Sequence, residues 1–236
     1  MCGRVALFTP PSRLARFVQA TLDAGLDPDG VPSWNVGTQR QLYGVRLDAG
    51  QRVLEGFQWG LLPAWASDPA VSNNLINARG ETVAEKPSFR EAFRSRPCVI
   101  PVDGFFEWAI HGAHKQPHYF TRRDGAPALF AGLYELWRDP SLPQDAPLRQ
   151  TCTVLTTEPS VDIDNVHDRM PVILEPETID QWLTPGPTGV DERRALIASA
   201  PAGTLQHLAV NVGVGNIRND GPELLEPIAV VANRLF

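Results

Sequence analysis

Cysteine is scarce: three residues in 236, at positions 2, 98 and 152, without paired spacing. An odd, scattered count argues against a disulfide framework and fits a reducing compartment. There is no CxxC and no cysteine–histidine cluster with zinc spacing, so we expect neither a metal nor another cofactor. No window approaches the ~18 uninterrupted apolar residues of a membrane span. The opening MCGRVALF has no basic segment leading into a long apolar run, which argues against a secretory signal. We therefore expect a cytoplasmic protein with no membrane partner, nucleoid-associated only if it binds DNA. Excess positive charge is also missing: 21 Lys and Arg against 27 Asp and Glu give a net charge of −6. This excludes a surface coated in basic charge, but not a local basic groove. Arg79, Lys86, Arg90, Arg94 and Arg96 outnumber Glu81, Glu85 and Glu91 in one stretch, which read alone is a solvated helix face.

What is present fits an ordinary globular chain. Hydrophobic residues make up 43% and charged residues 20%, too apolar and too weakly charged for disorder as the main state. The 19 Gly and 22 Pro make turns frequent and long helices few. No repeat, low-complexity tract or linker divides the chain. Residues 139–148 (DPSLPQDAPL) read as a surface loop between strands. We expect one domain over residues 1–236, and nothing suggests an obligate dimer, so we expect a monomer.

Short strands dominate the pattern. Strands are expected at Gly3 to Phe8, Cys98 to Val102, Phe105 to Ile110, Thr151 to Thr157, Pro171 to Leu174 and Leu205 to Val212. Gln41 to Leu47 and Arg52 to Trp59 flank DAGQ as a hairpin; Tyr119 to Arg122 and Ala128 to Leu133 flank Asp124-Gly125 as another. Helical spacing runs from Ser12 to Leu22, and helices are expected at Pro176 to Leu183 and Asp191 to Ser199. Ser88-Phe-Arg-Glu91 matches a capping box, which starts a helix at Ser88. The class is α+β, rich in antiparallel strands, with a barrel-like core and short peripheral helices.

Cys2 is the most informative residue. A small residue at this position allows removal of Met1, which leaves an α-amine and a thiol on adjacent carbons. Their reference pKa values, about 7.7–8.0 and about 8.5, make both partly nucleophilic near neutrality. Such a 1,2-aminothiol condenses with an aldehyde to a Schiff base, and the thiol then closes a thiazolidine ring. The plainer reading is a cysteine that merely packs under the first strand. Cys98 and Cys152 lie in apolar strands and read as small hydrophobes. His111, His114 and His118 surround Gly112 and Pro117, so they read as solvated loop histidines. Glu107 ends an apolar run among aromatics; desolvation there raises a carboxyl toward acid–base use, although a strand-edge glutamate facing water fits as well. His167 stands beside Arg169 at the start of a strand, where a lone histidine is more often a hydrogen-bonded core residue.

Five blocks occur in order: Met1-Cys-Gly-Arg4, Trp59-Gly-Leu-Leu-Pro63, Asn77-Ala-Arg79, Pro101-Val-Asp-Gly-Phe-Phe-Glu-Trp108 and Val166-His-Asp-Arg-Met-Pro-Val-Ile173. Together with Asn219-Asp-Gly-Pro-Glu-Leu-Leu-Glu-Pro227, they resemble the SRAP (SOS response-associated peptidase) family. The resemblance implies recognition of abasic sites in single-stranded DNA and a covalent crosslink through the N-terminal cysteine. Carried over by position, it implies that Cys2 forms the thiazolidine and that Glu107 and His167 transfer protons. It also implies that Asn77 orients Cys2 and the opened sugar. Arg4, Arg79 and Arg169 become phosphate contacts, a role suited to the planar guanidinium fork. Trp108, and more weakly Trp65, become stacking residues. The peptidase in the family name corresponds most simply to removal of Met1. One departure is the segment Asn35-Val-Gly-Thr-Gln39, a residue shorter than the usual pattern and without its proline, so only Asn35 is carried over there. Two further classes remain open: an amide hydrolase with an N-terminal cysteine nucleophile, and a non-catalytic module that binds single-stranded DNA.

Overall fold

The computed structural model describes residues 2–112 and 114–228, and of His111 only the backbone. The chain runs β1 (Arg4–Leu7), α1 (Pro11–Phe17), β2 (Thr21–Leu22), β3 (Ser33–Gly37), β4 (Gln41–Asp48), β5 (Gln51–Trp59) and β6 (Asn77–Arg79). It continues with α2 (Arg90–Ser95), β7 (Pro97–Val102), β8 (Gly104–His111), β9 (His114–Arg122), β10 (Ala128–Trp137) and β11 (Arg149–Thr157). It ends with β12 (Met170–Pro171), β13 (Ile173–Leu174), α3 (Ile179–Leu183), α4 (Gly186–Leu196) and β14 (Leu205–Ala209).

Strands β5, β4, β7, β10 and β11 pair antiparallel in that order. A parallel contact of Thr151 and Cys152 with Gln58 and Trp59 then joins β11 back to β5. The ring is a closed five-stranded barrel, the core expected from the strand-rich pattern. Closure removes the edges along which an open sheet would recruit other chains. Every residue of β7 is buried, which explains its unbroken apolar run. The second sheet has the order β14-β9-β8-β1-β3. One of its faces carries Val5, Phe105 and Phe120 toward the barrel; Phe105 stacks on Phe120 at 5.1 Å and meets Phe130 of β10 edge-on at 5.6 Å. Its other face holds Ala6, Phe106 and Tyr119 under Val210 and Val214 from the chain's late segment.

The β4–β5 hairpin forms as expected, with Ala49 and Gly50 at positive φ in its two-residue turn. The second expected hairpin does not form. Tyr119 to Arg122 pairs with β8 and β14, whereas Ala128 to Leu133 pairs with β7 and β11. Asp124-Gly125 does reverse the chain, but it carries it from one sheet to the other; a local turn signal does not report which sheet a strand joins. The chain crosses in the same way at Asp103, whose carboxylate accepts from the Phe8 and Thr9 amides at 2.7 and 2.8 Å and from the Thr9 hydroxyl. The next residue must be small, because a Cβ on Gly104 would lie 2.5 Å from the Tyr119 ring.

Helix boundaries shift for local reasons. α1 stops at Phe17, and Gln19 takes a left-handed φ of 53°, so Thr21–Leu22 becomes a strand beside β5 rather than the helix end. α2 begins at Arg90 behind Phe89 and has no side-chain cap, so the expected capping box at Ser88 does not form. α4 starts at Gly186, ahead of the expected Asp191, with a proline in its first turn. Residues 139–148 form the loop between β10 and β11, as read. Arg193 is fully buried and donates to the carbonyls of Phe93, Arg94, Trp182 and Thr184, tying together the C-terminal ends of α2 and α3.

Candidate active site

The four residues expected to carry chemistry converge where the second sheet meets the barrel. Cys2 leads into β1 and is 1% exposed. Asn77 opens β6, which lies parallel to β11 with Asn77 opposite Val154, and its Nδ2 donates to the Cys2 carbonyl at 2.8 Å. Its Oδ1 is buried and without a protein partner. Glu107, midway along β8, is 2% exposed. His167 is held by its own amide, which donates to the Ile163 carbonyl at 3.0 Å, and its Nε2 lies 3.7 Å from Glu107 Oε2.

Electrostatics follow from burial. Burial pushes the Cys2 thiol well above its ordinary pKa, and the Glu107 charge adds to this. Burial raises Glu107 to about 7, against the pull of the chain's positive amino terminus and with help from Asp168. The carboxyl is thus poised to give or take a proton near neutrality. His167 moves down, first through burial and then through the positive amino terminus. The Arg169 amide donates to His167 Nδ1 at 3.0 Å, which places the neutral ring's proton on Nε2, toward Glu107. Asp168 Oδ1 is also 3.0 Å from Nδ1, but its side chain is 89% exposed, so the part-buried amide sets the tautomer.

The expected DNA contacts are less uniform. Arg79, at the end of β6, is exposed. Arg169 borders the same end of β11, since its guanidinium reaches the Thr156 carbonyl at 2.7 Å and Thr156 stands opposite Arg79. Its fork is already engaged by Glu81, at 2.6 and 3.0 Å. That pairing holds the Glu81 carboxyl below its usual range. The Arg4 side chain is engaged by protein. Its Nη1 donates to Asn35 Oδ1 at 2.7 Å and to the Val214 carbonyl at 2.5 Å, and burial lowers its pKa. Asn35 is 4% exposed and belongs to β3 rather than to a loop; its amide donates to the carbonyls of Asn216 and Asn219. Trp108 alternates with Glu107 along β8 and packs with Ala6, Phe106 and Tyr119 on the opposite face. Trp65 is 64% exposed, in the loop between β5 and β6.

Sequence reasoning missed Glu81 as the partner of Arg169; only the fold brings them together. It also misread the histidines. His114 and His118 lie in β9, not a loop, and His118 Nδ1 stands 3.0 Å from His207 Nδ1. The strand continues through Pro117 because β8 and β14 pair on either side of it. The side chain of His111 lies outside the described residues, as does Met1. Cys98 and Cys152 are free, fully buried thiols, as expected of small apolar residues. Among the described residues no cluster of three or more His, Cys, Asp or Glu is arranged for a metal, and no helix is long and apolar enough to cross a membrane.

Comparison with known proteins matches this chain to one family. The profile described as SOS response associated peptidase (SRAP) matches residues 1–217. A Bacillus subtilis protein named abasic site processing protein YoqW is 37% identical over 96% of this chain and 99% of its own length. Abasic site processing protein HMCES of Gallus gallus is 31% identical over 97% of this chain and 78% of its own length. Abasic site processing protein YedK of Escherichia coli is 30% identical over 97% of this chain and all of its own length. A crystal structure of a Bacteroides thetaiotaomicron protein superposes with a TM-score of 0.83 at 23% identity, covering 97% of this chain and 100% of that one. The chain therefore belongs to the SOS response associated peptidase family.

Proposed function

We propose that this protein processes abasic sites in single-stranded DNA by forming a thiazolidine crosslink through Cys2 once Met1 has been removed. The observation that carries the reading is the convergence of Asn77 and His167 on the buried Cys2 and Glu107, from four separate parts of the chain. The names of the relatives support the substrate.

The ring-opened abasic sugar presents an aldehyde at C1′. The liberated Cys2 amine adds to it, and the carbinolamine loses water to give the iminium ion, which keeps its N–H. The thiol then adds to the iminium carbon as it gives up its proton, so ring closure releases one water overall. Burial keeps the thiol protonated, which lets the amine react first. Glu107, with a pKa of about 7, protonates the departing hydroxyl and then accepts the thiol proton. His167 presents Nε2–H to Glu107 and serves as the second proton-transfer group. Asn77 holds the Cys2 carbonyl, and its unpartnered Oδ1 is available to the opened sugar. Arg79, exposed at one end of β11, contacts a strand phosphate, while the fork of Arg169 beside it is held by Glu81; Arg4 acts behind β1 by fastening Asn35 and the late segment. Trp65 is the exposed stacking surface, and Trp108 supports the sheet behind Glu107. Removal of Met1 by the protein itself accounts for the peptidase in the family name.

Processed protein incubated with abasic single-stranded DNA should give a shifted species on a denaturing gel, absent with Cys2→Ala. No shift, or a shift that survives Cys2→Ala, overturns the reading. Normal DNA binding with no covalent species in the processed wild type would favour a simple binding module. Glutaminase activity on free glutamine would favour an amide hydrolase. Glu107→Gln should slow crosslinking with affinity kept, whereas Arg79→Ala should weaken binding at every sequence. If both variants lose only affinity, this division of roles is wrong.

A further inference from the structure

Three titratable side chains share one face of the second sheet. Glu107 and His118 are directly opposite in the β8–β9 register. Directly opposite residues hold their Cβ atoms about 4.5–5.5 Å apart on the same side of an antiparallel pair. On the other edge of β9, His118 is opposite Ala209, and His207 lies two residues earlier in β14, so it shares the face. The two imidazoles meet at Nδ1···Nδ1 3.0 Å, and His207 also stacks on Phe120 at 4.8 Å. The order Glu107, His118, His207 runs from the buried site to the outer edge of the sheet. There His207 lines a surface cavity of about 380 Å³ with Arg123 and Asp162.

A short Nδ1···Nδ1 contact requires one ring to donate and the other to accept. The donor ring then has a bare Nε2 and the acceptor ring a protonated Nε2. This is the arrangement of a two-member proton wire. We propose that His118 and His207 relay protons between the Glu107 carboxyl and solvent, which makes both histidines positioning residues for the acid–base work of Glu107.

The steps balance. Glu107 gives its proton to His118 Nε2, His118 passes its Nδ1 proton to His207 Nδ1, and His207 releases its Nε2 proton to water. Both rings then hold the reversed tautomer, which carries the next proton inward by the same three transfers in reverse. One proton out and one proton in restores the starting state. Glu107 recovers its own proton over the two steps, so the wire acts before them: it lets the carboxyl take from solvent the proton it must hold when the carbinolamine forms. Facing this row, Glu107 has Cys2, His167 and the field of Asp168; His118 stands opposite Glu107 in the strand register and meets His207; His207 has Asp162 and Arg123 beside it. His167 reaches Glu107 from the loop that carries Arg169, the side a bound strand covers. The β14 edge leaves a route that stays open during the reaction.

The inference rests on the reading of Glu107 as the acid–base residue for Cys2, and the test separates the two. Single-turnover crosslinking is followed in dilute buffer with saturating abasic single-stranded DNA. His207→Ala opens the outer end of the wire; the rate should fall about tenfold, less than the about 10²–10⁴-fold cost of removing a general acid–base group itself. Added imidazole should restore that rate, while DNA affinity and final yield stay unchanged. His118→Gln breaks the wire internally and should be equally slow but not rescued. His207→Gln, which leaves no hole, should be slow without rescue. A His207→Ala rate equal to wild type, or a slow rate that imidazole leaves unchanged, overturns the wire and leaves the crosslinking function standing. Absence of crosslinking in the wild type overturns that function and the wire with it.

Discussion

Glu107→Gln should make the protein more stable at alkaline pH, by an amount that burial sets. The carboxyl is 2% exposed, and its pKa rises from 4.5 to about 7 on folding. A raised carboxyl binds its proton more tightly in the folded state. The stability it contributes is therefore fully present below the unfolded pKa of 4.5 and is lost as pH rises through about 7. At 1.36 kcal/mol per unit, the whole span corresponds to about 3 kcal/mol. Gln keeps the shape and cannot ionise, so it lacks this loss. Urea denaturation of wild type and Glu107→Gln at pH 5 and pH 8 measures the double difference. The variant should gain about 2–3 kcal/mol relative to wild type between the two pH values. His167 shifts in the opposite sense. Its pKa is lowered from 6.5, so its contribution is lost as pH falls below about 6.5, but it is common to both proteins and largely cancels. A double difference near zero would show that Glu107 ionises without strain. It would remove the basis for placing its proton exchange near neutrality.

Other outcomes follow from particular contacts. Glu81→Gln frees the Arg169 fork, so single-stranded DNA should bind more tightly, and fluorescence anisotropy against salt should steepen by about 0.7 in log–log slope, the increment for one more phosphate contact. Asn77→Ala should cost about 1–2 kcal/mol in urea melts through its lost bond to the Cys2 carbonyl, and should slow crosslinking at unchanged DNA affinity. Arg193→Met strips partners from four carbonyls at two helix ends, and should destabilise by about 3 kcal/mol or more with no change in crosslinking per folded molecule. Gly104→Ala drives a Cβ to 2.5 Å from the Tyr119 ring and should lower stability by about 1–3 kcal/mol.

The sequence by itself determined the local elements with strong periodicity and the chemistry of single residues. The apolar run of β7, the turn residues of the β4–β5 hairpin and the aminothiol potential of Cys2 are all properties of short stretches, readable in order along the chain. The motif blocks also nominated Cys2, Asn77, Glu107 and His167, which the fold then brings together, Asn77 on Cys2, His167 beside Glu107 and the Glu107 charge acting on Cys2. What only the tertiary structure decided concerns relations across distance. Asp124-Gly125 signals a reversal, yet whether β10 pairs with β9 depends on which sheet has a vacant edge at that point. Arg169 and Glu81 are far apart in the chain, so nothing in either segment announces that the fork is occupied. His114 and His118 look like loop residues because Gly112 and Pro117 punctuate their segment, and the pairing of β8 and β14 overrides that signal. The apolar run around Glu107 suggested a raised carboxyl but fitted a strand-edge glutamate facing water as well, and only burial in the fold decides between the two. Desolvation is set by everything packed around a group, and that packing exists only once the sheet and the barrel have closed on each other.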